Sequence, residues 1–297
     1  MANKARTYPD IRIPSPVGQT WLAYKENPIA MAALWALLCL LLVVAFGPSM
    51  VTYDPQQQDP NALLLPPSWT TSGTLAHFLG TDDLGRDLLS RLVHGARLTF
   101  GSAVVATLIA MLCGGTIGVL GGMSQGLKSS VLHHMLDTLL SVPSLLLAIV
   151  LVAVLGPGLD NAVLAVTLSL TPQFIRAIYH AVNNELQKEY IVAVRLDGSP
   201  PLRILRLAIL PNIVDTVVAQ TTRALCTAIL DISAICFLGI GAQSPSPEWG
   251  TMLADGMDLM YIGAWTVTLP GLAIIFSVLI TNLVGDGLRS AIQKGID

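Results

Sequence analysis

NNELQKEYIVAVRLDGSPPLRILRLAILPN, residues 183–212, is a charged stretch set between long apolar segments. Two membrane helices can be joined by a handful of residues. A polar insertion of this size is therefore expected to have a partner outside the bilayer. Val182, Leu186, Tyr190, Ala193 and Leu196 recur every three or four residues and predict one apolar stripe on a helix. Gly198 is placed to end that helix at positive φ. Ser199 and Pro200 read as the N-cap and first position of a second helix, residues 200–210, with Arg203 and Arg206 on one side and Pro211 as its stop. The expected shape is a helix, a sharp corner and a short basic helix beneath the membrane.

Around this loop the 297-residue chain is 53% hydrophobic and only 12% charged, about half the charged share of soluble domains. It is expected to be an all-α membrane protein. A net charge of −3 excludes a nucleic-acid surface. Cys39, Cys113, Cys226 and Cys236 lie in apolar runs without ligand spacing and read as small buried hydrophobes. The first apolar run follows a polar leader and reads as a retained span, not a cleaved signal.

A span takes about 20 apolar residues, because roughly 30 Å of hydrocarbon is crossed at about 1.5 Å per residue. Residues 29–46, 98–120, 138–155 and 262–284 qualify. Residues 161–175 extend through Tyr179, with Arg176 snorkelling at the boundary. Residues 214–240 make a sixth span despite Arg223 and Asp231. Orientation follows the basic residues. With both termini inside, the inner side holds Lys4, Arg6, Arg12, Lys25, Lys128, Arg176, Lys188, Arg195, Arg203, Arg206, Arg289 and Lys294, against Arg86, Arg91 and Arg97 outside. Twelve to three predicts N-in, C-in with six helices. The organisation is an inner segment 1–28, a first span 29–46, an outer loop 47–97, a five-helix core 98–290 carrying the inner loop 180–212, and a tail 291–297.

The outer side holds nine acids: Asp54, Asp59, Asp82, Asp83, Asp87, Asp160, Glu248, Asp255 and Asp258. Such a face either favours cationic solutes or is an ordinary acidic surface. Gly114, Gly115, Gly118, Pro143, Pro172, Pro270 and Gly271 interrupt the spans and suit a moving pathway or close helix packing alike. There is no inverted repeat of the kind built into secondary carriers.

The inner loop resembles the EAA loop of binding-protein-dependent ABC importer permeases: E-A-A, three residues, Gly, nine residues, then I-x-L-P. Ala193, Gly198, Leu210 and Pro211 match, while Val192, Val194 and Ala208 depart. The version found in the peptide and nickel subfamily is more similar, through Glu189, Tyr190, Ala193, Arg195, Gly198, Leu210, Pro211 and Asn212. Two further blocks resemble that subfamily's signatures: GTDDLGRDLLSRLVHGARLT at 80–99 and AILDISAICFLGIGAQSPSPEWGTML at 228–253. Residues 136–157 and 189–198 look most like the Sap-type branch linked to antimicrobial-peptide sensitivity, with dipeptide permeases close behind.

The resemblance implies a type I ABC importer (MetI-like) permease bundle in the bacterial inner membrane, with peptides as cargo. It implies a second, homologous permease subunit, two ATP-binding subunits that hold ATP and Mg, and a periplasmic substrate-binding protein. The helix beyond Gly198 would then enter a cleft on an ATPase. Glu189, Tyr190, Ala193, Arg195, Asp197, Gly198, Arg203, Arg206, Leu210 and Pro211 form the implied coupling set. Asp197 stands where the subfamily usually has a small or apolar residue.

Arg223 and Asp231 lie eight residues apart, about 80° around one helix. A charge at mid-bilayer costs several kcal/mol unless paired or wetted. They belong either to a translocation path with Gln173 and Asn282, or to structural pairs with those groups or with a second subunit. In the outer motif, Asp82, Asp83, Gly85, Arg86 and Asp87 follow a turn at Gly80. This reads as a helix cap exploiting the dipole, or as a dock for the binding protein. No metal site is expected there, and His94 reads as an interfacial side chain. Pro66-Pro67 with Trp69, and Pro245 and Pro247 with Trp249, read as rigid outer turns anchored at the interface.

No nucleophile–base arrangement, P-loop or metal cluster is present, so ATP hydrolysis must come from another chain. The competing readings are a polyamine or nickel permease and, in a different class, an ion-coupled carrier. The latter would need carboxylates in several spans.

Overall fold

The computed structural model describes residues 15–124 and 136–296. Lys4, Arg6, Arg12 and Lys128 of the orientation count lie outside these. In chain order the helices are α1 (Pro16–Lys25), α2 (Pro28–Met50), α3 (Leu88–Met123), α4 (Ser144–Leu155), α5 (Leu159–Leu186), α6 (Glu189–Leu196), α7 (Pro201–Ile204), α8 (Val214–Phe237), α9 (Trp249–Gly256) and α10 (Trp265–Ile296). Among the described residues the only β feature is an isolated bridge between Thr81 and Asp87.

Four of these helices, α2, α3, α5 and α10, are long and apolar enough to cross a membrane. The other two expected spans differ from the prediction. Residues 136–140 are helical, but the chain turns at 141–142 and restarts as α4, which has 12 residues. Pro143 is the cause: it has no N–H to donate and pushes the residue before it out of the α region. The sixth, α8, has length, but Asp215, Arg223 and Asp231 lie along it. Boundaries also move. The first span runs on to Met50, α3 starts at Leu88 rather than at 98, and the supposed tail is helical to Ile296 with Ala291 and Ile292 buried.

The centre of the bundle is the α3–α5 contact. In lipid, helices gain no hydrophobic advantage from pairing and rely on close packing. Gly114, Gly118 and Gly122 put bare backbone against Phe174, Ile175, Ile178, Tyr179 and Val182; a Cβ at Gly118 would meet the Ile175 carbonyl oxygen at 2.8 Å. These glycines are therefore packing residues, whereas Gly115 faces open space. Small residues of α3 (Ala103, Ala106, Ala110) continue the seam, and Ile229, Ile232 and Ile235 of α8 close the core. Cys236 is buried, but Cys39 and Cys113 lie on outward faces, not inside as expected. At the start of α2, α1 is tied back by the Tyr24 hydroxyl, which donates to the Ala30 carbonyl at 2.9 Å.

Candidate functional site: the inner corner and the outer clamp

Helix α5 stops at Leu186 because Lys188 is extended (φ −70, ψ 143), and α6 restarts at Glu189. The break resets the helical phase. Ile191 is the buried residue of α6, while Tyr190, Ala193 and Leu196 face outward, so the single stripe predicted through Val182 and Leu196 does not form. Gly198 has φ +77, in the left-handed region expected of a corner, with open space where a Cβ would stand. The second helix is capped by Pro200 and starts at Pro201, one residue later than read from Ser199.

Pro211 does not stop that helix. After α7 the backbone widens into a π-turn, Leu205–Ile209, in which the Leu210 N–H reaches the Leu205 carbonyl. It then tightens into a 3-10 turn, Leu210–Ile213, and runs directly into α8. Widening the turn before a proline relieves the clash of its ring with the carbonyl one turn back. The short helix is thus joined to α8 without an intervening loop.

Ile191, Ile204, Ile209 and Ile213 pack inward with Ile178 and Val182. The opposite side is bare: Leu196 is 83% exposed, Leu202 74% and Leu207 65%. Glu189, Arg195, Asp197, Leu210 and Pro211 are also exposed. Arg203 and Arg206 line one open groove with Pro200, Leu202 and Leu207. Two residues outside the predicted set complete the corner. Glu185 is buried and takes the Tyr190 hydroxyl, and Asn212 donates to the Tyr190 oxygen at 2.9 Å. The sequence held no usable signal for Glu185, because an acid is anomalous there only once α5 is seen to end at Leu186.

Within the bundle, Arg223 is exposed and forms no ion pair among the described residues. Asp231 is 6% exposed, faces the Ser144 side chain at the start of α4, and leaves one carboxylate oxygen without a partner. Gln173 is half-buried and Asn282 exposed, and neither bonds to Arg223 or Asp231. The structure does not bring the four together. Arg176 pairs with Asp137 at 3.6 Å.

At the outer end, GTDDLGRD folds as a cap. Asp87 is the N-cap of α3, accepting from Ser90 N at 2.8 Å and facing His77 Nδ1 at 3.0 Å. Asp82 accepts from the backbone of Leu84 and Arg86 and from Arg86 Nε at 2.6 Å. Gly85 turns the chain at φ +72, against Asp59, where no side chain fits. Asp83 is the exposed member.

Arg91, 1% exposed, approaches Asp82 and Asp255 at 3.6 and 3.8 Å and reaches the carbonyls of Pro55 and Pro245. Burial pushes Asp255 up, and Arg86 and Arg91 offset part of that. Glu248, wholly buried, caps α9 through Thr251 N at 2.9 Å and accepts from Thr99 Oγ1 of α3 at 2.7 Å; burial pushes it up too. Trp249 is buried and donates to the Leu92 carbonyl, so it is a tie within the protein and not an interface anchor. Trp69 is 64% exposed, edge-on to Phe78. His94 bonds the Ser90 carbonyl and is half-buried. Three of the nine acids, Asp82, Asp87 and Glu248, are thus buried, and the buried Arg86 and Arg91 pair with Asp82 and Asp255, which shrinks the free acidic face. Among the described residues no group of His, Cys, Asp or Glu is arranged to hold a metal.

Residues 15–67 match the N-terminal transmembrane domain of oligopeptide transport permease C. Over 290 residues, 98% of both chains, the sequence is 50% identical to the peptide transport system permease protein SapC of Escherichia coli O6:H1 and 51% identical to that of Salmonella typhimurium. It is 42% identical to the di/tripeptide transport system permease protein DppC of Pseudomonas aeruginosa, over 99% of this chain and 97% of that one. The fold is similar to a chain of the inward-facing MetNI methionine ABC transporter, with a TM-score of 0.56 and 22% identity over 68% of this chain and 95% of that one. Residues 114–297 match the family described as binding-protein-dependent transport system inner membrane component, and the chain belongs to that family.

Proposed function

We propose that the chain is one of two permease subunits of an ATP-driven peptide transporter in the bacterial inner membrane. In this reading six helices cross the bilayer with both termini inside: α2, α3, the 136–155 pair broken at Pro143, α5, α8 and α10. Two ATPase subunits, which hold ATP and Mg, dock on residues 180–212, and a periplasmic binding protein delivers the solute from outside. The observation that carries the reading is the inner corner. It is pinned on one side by four buried isoleucines and bare on the other at Leu196, Leu202 and Leu207. Exposed leucines on a rigid, basic projection are what an apolar cleft on a soluble partner would take up. The relatives named as peptide permeases support the choice of solute.

Arg223 faces outward from the middle of α8, and a charge there is costly against lipid. It therefore lines the path or meets the second subunit, while Asp231 serves the start of α4. Asp83 and the exposed outer turns are left to meet the binding protein. The test is co-expression with the neighbouring ATPase, permease and binding-protein genes. The complex should copurify on a tag placed on this chain and hydrolyse ATP faster when loaded binding protein is added. A chain that purifies alone and moves solute down an ion gradient would establish an ion-coupled carrier instead.

A further inference from the structure

Glu185 sits where helix physics disfavours it, in the last turn of α5, yet only 5% of it is exposed. A buried carboxylate needs partners. Lys188 Nζ stands 2.7 Å from Oε2, and the Tyr190 hydroxyl donates to Oε1. The Tyr190 oxygen accepts from Asn212 Nδ2 at 2.9 Å, and the same amide donates to the Ala208 carbonyl at 2.7 Å. An amide NH2 has two hydrogens, and a phenol donates one and accepts; both groups are used to capacity. Although much of the ring is exposed, desolvation of the hydroxyl, reinforced by Glu185, pushes the Tyr190 phenol up to about 12, so it stays a donor in any cell.

This chain of bonds joins three elements: the end of α5, the first turn of α6 and the 3-10 turn that opens into α8. Alone, α6 with 8 residues and α7 with 4 are too short to hold a shape, since helices below about 12 residues are marginal in water. The π-turn that follows is a further weak point. We propose that Glu185, Tyr190 and Asn212 form a clasp that locks the corner to α5 and α8 together, so that force applied beyond Gly198 moves both membrane helices instead of bending the corner. They are positioning residues, and the inference rests on the loop being the ATPase dock.

The test is Tyr190→Phe, which removes only the hydroxyl, in the complete transporter reconstituted in proteoliposomes. The ATPase subunits still copurify and ATP is still hydrolysed, but peptide delivered per ATP falls about tenfold, the effect of one lost hydrogen bond to a charged group. Glu185→Gln, whose amide oxygen still accepts, keeps most of the ratio, and Glu185→Ala does not. Tyr190→Phe with Asn212→Ala is no worse than the worse single change, because one clasp opens only once. In the purified chain alone, amide exchange across residues 189–213 quickens by a similar factor in Tyr190→Phe. An unchanged delivery ratio or unchanged exchange overturns the clasp. So does loss of the ATPase subunits from Tyr190→Phe, which would make Tyr190 a docking contact. If the unaltered chain binds no ATPase, the docking reading fails, and the exchange measurement still judges the clasp.

Discussion

At the outer end of the bundle Arg91 and Glu248 are almost wholly buried, and they tie α3 to α9 and to the loop before it. At the inner end the projecting side chains are leucines and arginines open to solvent, held from behind by isoleucines and three polar residues. The difference separates two mechanical roles. Buried, paired charge is costly to disturb and fixes one geometry. Exposed apolar surface contributes little within the chain and gains its value from whatever covers it. The outer end is built to stay, and in the proposed reading the inner end is the one a partner grips.

The sharpest way to break this comparison is Arg91→Met. It leaves Asp82 and Asp255 short of a counter-charge and the Pro55 and Pro245 carbonyls without their donor. The expected loss is about 3–5 kcal/mol, read as a fall in thermal or denaturant stability of the purified chain in detergent. A stability equal to wild type would mean that the outer clamp carries no load. Thr99→Val is next. The hydroxyl donates to Glu248 and accepts from Trp249 N at 3.1 Å, so two buried groups lose a partner. The cost should be about 1–3 kcal/mol in the same assay.

How far the sequence disclosed each end follows from the kind of interaction used. The inner corner was legible where it depends on local backbone chemistry: Gly198 at positive φ needs no neighbour to explain it. Its burial pattern was not, because one extended residue at Lys188 shifts every later side chain around the helix. Pro211 misled for a similar reason, since a proline that ends a regular helix is absorbed by a preceding π-turn. The outer motif was legible as a cap through Asp87. Its partners, Asp255, Glu248 and Trp249, lie some 150 residues away in sequence, and no spacing rule reaches them. The family blocks identified the architecture well, but family likeness does not show that Trp249 turns inward.

Gly198→Ala tests the corner itself. Nothing stands near the new Cβ, so the cost is the left-handed φ alone, about 1–2 kcal/mol. Gly198→Asn, which tolerates that region, should lie close to wild type in both stability and transport. If Ala and Asn behave alike, the corner is not held at positive φ during the working cycle.

The smallest effect on the chain itself is expected from Leu202→Asp. Leu202 is 74% exposed on the four-residue α7, and it lines the same groove as Arg203 and Arg206. Nothing within the chain loses a contact of consequence, so stability should stay within about 0.5 kcal/mol of wild type. In the proposed complex a new carboxylate on that face would nonetheless be carried into the partner's cleft, where burying a charge costs several kcal/mol. Copurification of the ATPase subunits should therefore fail while the permease remains folded and in the membrane. The two measurements must part company for the comparison to hold. A protein that loses stability would show Leu202 to be core after all, and one that keeps its ATPases would show that the gripped surface lies elsewhere.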